Sequence, residues 1–262
     1  MKKLIVLLLA VAMVFTLAAC GNQQTPVEEP EKTATESAYK GTYDVLKMAT
    51  NAAFPPYEYK EGEDFAGIDV EIATAIAKEL GAELEIVDME FDSIIASVQS
   101  GETSFGMAGM TVTDERKEEV DFSSSYATGV QVVIVAEDSD IASLDDLEGK
   151  KIGVQLGTTG DFYATDDYGS ENVTQYGKGA DAVIALKGGD VDAVIIDNEP
   201  AKAFVAENEG LKILNTEYAV EDYAIAISKD NADLLADINK ALEKLTADGT
   251  IDAIIAKYIK AE

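Results

Sequence analysis

From Val45 onward the sequence alternates short β-type apolar runs with amphipathic helical segments, and that alternation leaves few folds open to it. Val45–Thr50 reads as a strand, and Ile68 to Leu80 carries apolar residues at helical spacing until Gly81 stops it. Leu84–Val87 reads as a strand, and Asp92 is placed to cap a helix carrying Ile94, Ile95 and Val98 that ends at Gly101. A second series follows: strand Val130–Ala136, a turn at Ser143–Gly149, strand Lys151–Gln155 and a helix from about Thr158. Strand Val191–Ile196 runs into Asp197-Asn198-Glu199-Pro200, where Asn198 can cap and the proline suits an early helical position. Leu211–Leu214 and Tyr223–Ser228 read as further strands, before two helices, 231–247 and 250–260, broken at Asp248-Gly249. Strand then helix, repeated, predicts an α/β fold with a parallel sheet flanked by helices, and the two series read as two lobes.

The segment before this has a different character. Met-Lys-Lys followed by an apolar run from Leu4 to Ala19 reads as a secretory signal, too short for a membrane span of roughly 20 residues. Leu17-Ala18-Ala19-Cys20 matches the lipobox of bacterial lipoproteins, so residues 1–19 are expected to be removed and Cys20 to carry lipid. As Cys20 is the single cysteine, there is no disulfide framework to read. The stretch to residue 40 is rich in Gln, Thr, Pro, Glu and Ser and is expected to be a flexible tether holding the protein to the outer face of a membrane. Fifty acidic against twenty basic residues argue against nucleic acid as a partner, because a basic face is what draws phosphate backbones.

Chemistry is constrained first by what is missing. The chain has no histidine, which removes Ser-His-Asp and Cys-His nucleophile systems and the commonest metal ligand together. No acidic cluster at ligand spacing stands out, so neither enzyme activity nor a metal or other cofactor is expected. Arg116 is the only arginine, and it follows Ala108-Gly109-Met110-Thr111-Val112-Thr113, the end of an apolar run turning into a helix that Thr113 or Asp114 can cap. Thr111 and a planar guanidinium beside a helix start form an anion site, although a surface pair with Glu115 or Glu119 is the plain alternative. Gly157-Thr158-Thr159-Gly160 after Gln155 is a second turn suited to an anion, without the Gly-Lys-Ser/Thr ending of a nucleotide loop. Asp197 ends a buried strand where a carboxylate could meet a cation or cap a helix. Phe54 stands in a loop stiffened by Pro55 and Pro56, and Phe91 in a strand-end loop; either ring could wall a ligand or seal the core.

Taken in order from about Val45 to the C-terminus, these segments resemble the extracellular solute-binding proteins of bacterial polar amino-acid ABC importers. The likeness rests on Ala49-Thr50-Asn51-Ala52-Ala53-Phe54-Pro55-Pro56-Tyr57-Glu58-Tyr59, Gly67-Ile68-Asp69-Val70, Phe91, the 108–116 stretch, Asp121-Phe122-Ser123, Gly157-Thr158-Thr159-Gly160, Asp192-Ala193-Val194 with Asp197, and Asp222-Tyr223-Ala224-Ile225-Ala226. The resemblance implies a periplasmic-binding-protein-like (type II) fold. Each lobe is then a mixed sheet flanked by helices: residues 41–126 with 224–262 form one, residues 130–220 the other, and two hinge strands near Ser125–Gly129 and Val220–Ala224 join them. It further implies a monomer that captures a free L-amino acid and delivers it to permease subunits. Arg116, helped by Thr111 and Thr159, resembles the clamp on the ligand carboxylate, and Asp197, with the Gly109 carbonyl, the acceptor of its ammonium group. Phe54 and Phe91 resemble the side-chain walls, Ala108 and Thr158 belong to the same turns, and Asn51 and Gln155 hold positions that vary with specificity. Asn51 and Gln155 favour an uncharged polar ligand such as glutamine, whereas the pattern around Val154–Asp161 favours a basic one, with Asp161 or Glu58 facing the pocket. The same fold also hosts dehydratases, and a ligand-sensing lipoprotein is a further alternative.

Overall fold

In a computed structural model of the chain, residues 42–260 are described; the signal segment, Cys20 and the tether lie outside them. The chain starts with β1 (Val45–Thr50) and a small meander, β2 (Ala53–Phe54), β3 (Glu58–Glu61) and β4 (Asp64–Ala66), then enters α1 (Ile68–Leu80). Ile68, Ile72, Ile76 and Leu80 repeat every fourth residue, so one stripe of α1 is fully buried. Gly81 ends the helix in the left-handed conformation, φ 73°, with its N–H returned to the last turn. Next come β5 (Glu83–Asp88), α2 (Ile94–Ser100), β6 (Phe105–Gly106), α3 (Asp114–Glu119) and β7 (Asp121–Phe122).

The second lobe comprises β8 (Ala127–Ala136), β9 (Ile152–Gln155), α4 (Thr159–Tyr168), β10 (Val173–Tyr176), α5 (Gly179–Gly188), β11 (Ala193–Asp197), α6 (Asn198–Glu207) and β12 (Leu211–Ile213). The chain then returns through β13 (Ala219–Tyr223) to β14 (Ala226–Ile227) and ends in α7 (Ala232–Ala247) and α8 (Thr250–Tyr258). One sheet has the order β5-β1-β6-β14-β7; the other runs β10-β9-β11-β8-β12, with β13 also paired to β8. This is the two-lobed α/β fold that the resemblance implies. The sheets are mixed rather than parallel throughout, because β14 returns antiparallel to β6 and β7, and β8 antiparallel to β11, β12 and β13.

Both faces of the central strands are apolar. On β8, Val133 and Val135 pack with Ile152, Val154 and Ile195, while Val132 and Ile134 face the opposite way with Val183, Leu186 and Phe204 from α5 and α6. In the first lobe the α1 stripe meets Leu234, Ile238, Ala241 and Leu245 of α7. Between the lobes, β8 and β13 form one antiparallel ribbon in which Gly129 lies opposite Glu221 and Ala127 opposite Tyr223.

Several local readings change. Asp92 does not cap α2: residues 91–93 form a 3-10 turn that feeds the helix directly, and no side chain caps it. Asn198 is already the first residue of α6 and hydrogen-bonds Glu199, so it does not cap that helix either. The strand read over Tyr223–Ser228 is split, because Ala224 leaves the ribbon and donates its N–H to the Met110 carbonyl at 3.1 Å before β14 begins. The meander β2–β4 and the unit β10–α5 were not anticipated from the sequence.

The ribbon tolerates no side chain at one position. A Cβ at Gly129 would stand 2.2 Å from the hydroxyl of Tyr223, whose ring is fully buried. Gly129→Ala is therefore expected to lower stability by about 1–3 kcal/mol through overpacking, read from urea unfolding midpoints; an unchanged midpoint would contradict the packing described.

Candidate functional site

The site begins with a turn held by a buried acid. Gly109 takes φ 53°, and its N–H donates to Oδ2 of Asp69 on α1 at 2.8 Å, an oxygen that also accepts the hydroxyl of Tyr126 at 2.8 Å. A Cβ at Gly109 would lie 3.0 Å from the Phe54 ring, so glycine lets ring and backbone meet. Four residues on, Thr113 caps α3 by accepting the Arg116 N–H at 3.1 Å.

Arg116 is buried, not a surface residue paired with Glu115 or Glu119. Its Nη1 donates to the Thr111 carbonyl at 2.7 Å and its Nη2 crosses to the Gly157 carbonyl of the other lobe at 3.0 Å, while the guanidinium lies 5.4 Å from the Phe91 ring centroid. Burial pushes its pKa down to about 10, against the pull of Glu221 and Asp197.

From the second lobe, β9 ends at Gln155, whose Nε2 donates to Asn51 Oδ1 at 3.0 Å and to the Gly177 carbonyl at 3.2 Å. Thr158 caps α4 and returns its hydroxyl to the Gln155 carbonyl at 2.8 Å. Asp161 does not face the cavity: its carboxylate accepts the Gly157 N–H at 3.0 Å and Gln175 Nε2 at 2.9 Å, within its own lobe. Asp197 ends β11 with no capping bond from its side chain, which accepts the hydroxyl of Tyr223 instead. Burial raises its pKa to about 7, helped by the Glu221 charge and opposed by the Tyr223 hydrogen bond.

These elements meet around one narrow cavity. The first lobe contributes Asn51, Phe54, Phe91, Ala108, Gly109, Thr111 and Arg116 to its lining. The second contributes Gln155, Thr158, Thr159 and Asp197. The residues that the resemblance assigns to ligand binding thus line this cavity, and of the two acids offered for a basic side chain Glu58 lines it and Asp161 does not.

Glu58 is buried beside Asp69. Burial first, and the Asp69 charge second, lift its pKa well above the usual carboxylate range; Asp69 itself is raised by burial to about 6. Glu58 Oε2 and Asp69 Oδ1 have no hydrogen-bond partner among the described residues, an arrangement that one proton held between the two acids would satisfy.

Glu221 was not singled out in the sequence. It sits on β13 behind the cavity, and its Oε2 accepts Thr159 Oγ1 at 3.0 Å, Gln131 Nε2 at 3.0 Å and Thr111 Oγ1 at 3.2 Å, while Oε1 accepts the Tyr163 hydroxyl at 2.9 Å. The Thr111 hydroxyl is therefore committed to Glu221 rather than turned to the cavity. A signal was present: on a strand that alternates its faces, Glu221 shares the inward face with Tyr223.

Comparison with known proteins agrees with this architecture. Residues 46–261 match the family described as bacterial extracellular solute-binding proteins, family 3. The chain is 35% identical over 272 aligned positions, covering all of both sequences, to the arginine-binding extracellular protein ArtP of Bacillus subtilis. Among solved structures it resembles an ancestral arginine-binding protein bound to glutamine, with 42% identity, a TM-score of 0.79 and coverage of 83% of this chain and 98% of that one. It also resembles the arginine-, lysine-, histidine-binding protein ArtJ of Geobacillus stearothermophilus, with 34% identity, a TM-score of 0.80 and coverage of 84% and 96%.

The raised acids give the site a signature in stability. In the folded state Asp197 (about 7) and Asp69 (about 6) still hold protons that a carboxylate at its ordinary 3.8 has released, so folding binds protons between these limits. Stability without added amino acid is expected to fall as pH rises from about 4 to about 7; unfolding temperatures across that range check it, and a steady rise would contradict it.

Proposed function

The chain belongs to the bacterial extracellular solute-binding proteins, family 3, and on that premise we propose that it captures a free basic L-amino acid between its lobes and passes it to an ABC importer. The observation that carries this reading is the charge set of one cavity: Arg116 from one lobe, Asp197 from the other, and Glu58 beside them. A free amino acid brings two charges that are costly to remove from water unless each is paired. The planar fork of Arg116 suits the α-carboxylate, with the backbone N–H of Thr159 at the first position of α4 as a further donor. Asp197 suits the ammonium group, and Phe54 and Phe91 wall the side chain.

Glu58 argues for a basic side chain. Its Oε2 is a buried acceptor, and a cationic group reaching it would take the place of the proton held between Glu58 and Asp69. The Nε2 group of Gln155, which would otherwise favour glutamine, is spent on Asn51 and Gly177. The names of the similar proteins, which include arginine, lysine and histidine, point the same way. They are names of binding proteins, and the reading invokes no catalytic step. In this reading residues 41–126 with 224–262 form one jaw and 130–220 the other. Residues 1–19 are removed, Cys20 is lipidated, and the monomer is tethered outside the membrane beside its permease.

Calorimetric titration of protein stripped by unfolding and refolding tests the site. Arg116→Ala and Asp197→Ala should each cost about 2–5 kcal/mol of L-arginine binding, at least roughly thirtyfold in Kd, with the fold intact. Glu58→Gln should weaken L-arginine more than L-glutamine. Full affinity in both alanine variants would sink the assignment.

A further inference from the structure

Glu221 is a carboxylate acting on Arg116 that the amino-acid reading leaves without a task. It is buried, and it is linked to the arginine through a single residue: Thr111 accepts from Arg116 Nη1 with its carbonyl and donates to Glu221 with its hydroxyl. Four donors converge on this carboxylate, a set suited to its charged form. Three of them, Thr159, Gln131 and Tyr163, belong to the second lobe, and Glu221 itself is fixed in the paired ribbon of β8 and β13. The group is thus a stationary negative charge behind the cavity wall. Glu221 is not among the lining residues, so it influences an occupant through its field rather than through contact.

Arg116 is the only cation in the cavity lining. Its field opposes a second cation in the cavity, an effect that Glu58 and Asp197 counter from within the lining and Glu221 from behind it. We propose that Glu221 adds to Glu58 in setting the charge preference of the cavity, offsetting Arg116 from behind the wall so that an amino acid with a cationic side chain is favoured over its neutral isostere. The proposal rests on the cavity being an amino-acid site. It agrees with Glu221 being the largest favourable charge acting on Arg116. Because the α-carboxylate and α-ammonium groups are the same in both isosteres, their interactions with Glu221 cancel in the ratio of affinities. What remains is the field at the side-chain end. A unit charge about 10 Å away, at an effective dielectric of about 20, shifts that ratio about tenfold.

L-arginine and L-citrulline form the test pair, being alike in shape and different in charge. Their Kd values are measured by calorimetry on the intact protein and on Glu221→Gln, Glu221→Ala and Glu221→Asp, with thermal unfolding confirming each fold. The citrulline-to-arginine Kd ratio is expected to fall about tenfold in the Gln and Ala variants and to be largely kept in the Asp variant, which retains the charge. A wild-type ratio in both neutral variants would overturn the proposal, as would an Asp variant that loses the preference as fully as Gln. Failure of the intact protein to bind either ligand would instead overturn the amino-acid reading and remove the basis of this one.

Discussion

A guanidinium taken out of water must find acceptors for a rigid fork of donors, and the fold around the cleft follows from how Arg116 finds them. It takes one backbone carbonyl from each lobe, at Thr111 and Gly157, rather than a neighbouring acid. Each carbonyl is available because a strand has just ended in a turn: Gly109 bends the first, locked by Asp69, and Gly157 bends the second, at φ 77° and locked by Asp161. Asp69 and Asp161, each in the first turn of a helix, therefore serve as anchors for the turns, although the sequence offered Asp161 for the pocket. The carbonyls that hold Arg116 saturate only part of its fork, and the residue lines the cavity.

Burial of so many acids around one arginine has a cost that the fold spreads over several devices. Asp69 is served by a backbone N–H and a tyrosine hydroxyl, Asp197 by Tyr223, and Glu221 by four donors. Glu58 is less well served, an acid whose buried Oε2 has no partner among the described residues. The aromatic residues give these groups their shelter: Tyr57 packs edge-on to Tyr223 at 5.2 Å, and Phe54 stacks toward Tyr57 at 6.1 Å.

Much of this was legible before any coordinates. Strand ends carrying Gly, Thr and a lone arginine are marked by composition, since small residues and a singular cation are hard to explain as packing, and those residues do gather around one cavity. What escaped had physical reasons. Glu221 is one of fifty acids, and only the register of β13 against β8 turns it inward. Asp69 reads as a favourable acid in the first turn of α1, which it also is. The unit β10–α5 was missed because Val173–Tyr176 has too few apolar residues to announce a strand and α5 is bounded by glycines. Asp92 and Asn198 have the right chemistry for caps, but each helix starts before a cap could form.

The ribbon of β8 and β13 has a mechanical consequence. Five consecutive residue pairs, from Ala219 opposite Gln131 to Tyr223 opposite Ala127, tie the two connections side by side. Two separate tethers would let one lobe slide and twist freely over the other; a paired ribbon is stiff within its own plane and bends across it. Any parting of the lobes is thereby confined to something near a single axis, and the groups on the facing walls retrace one arc each time they meet.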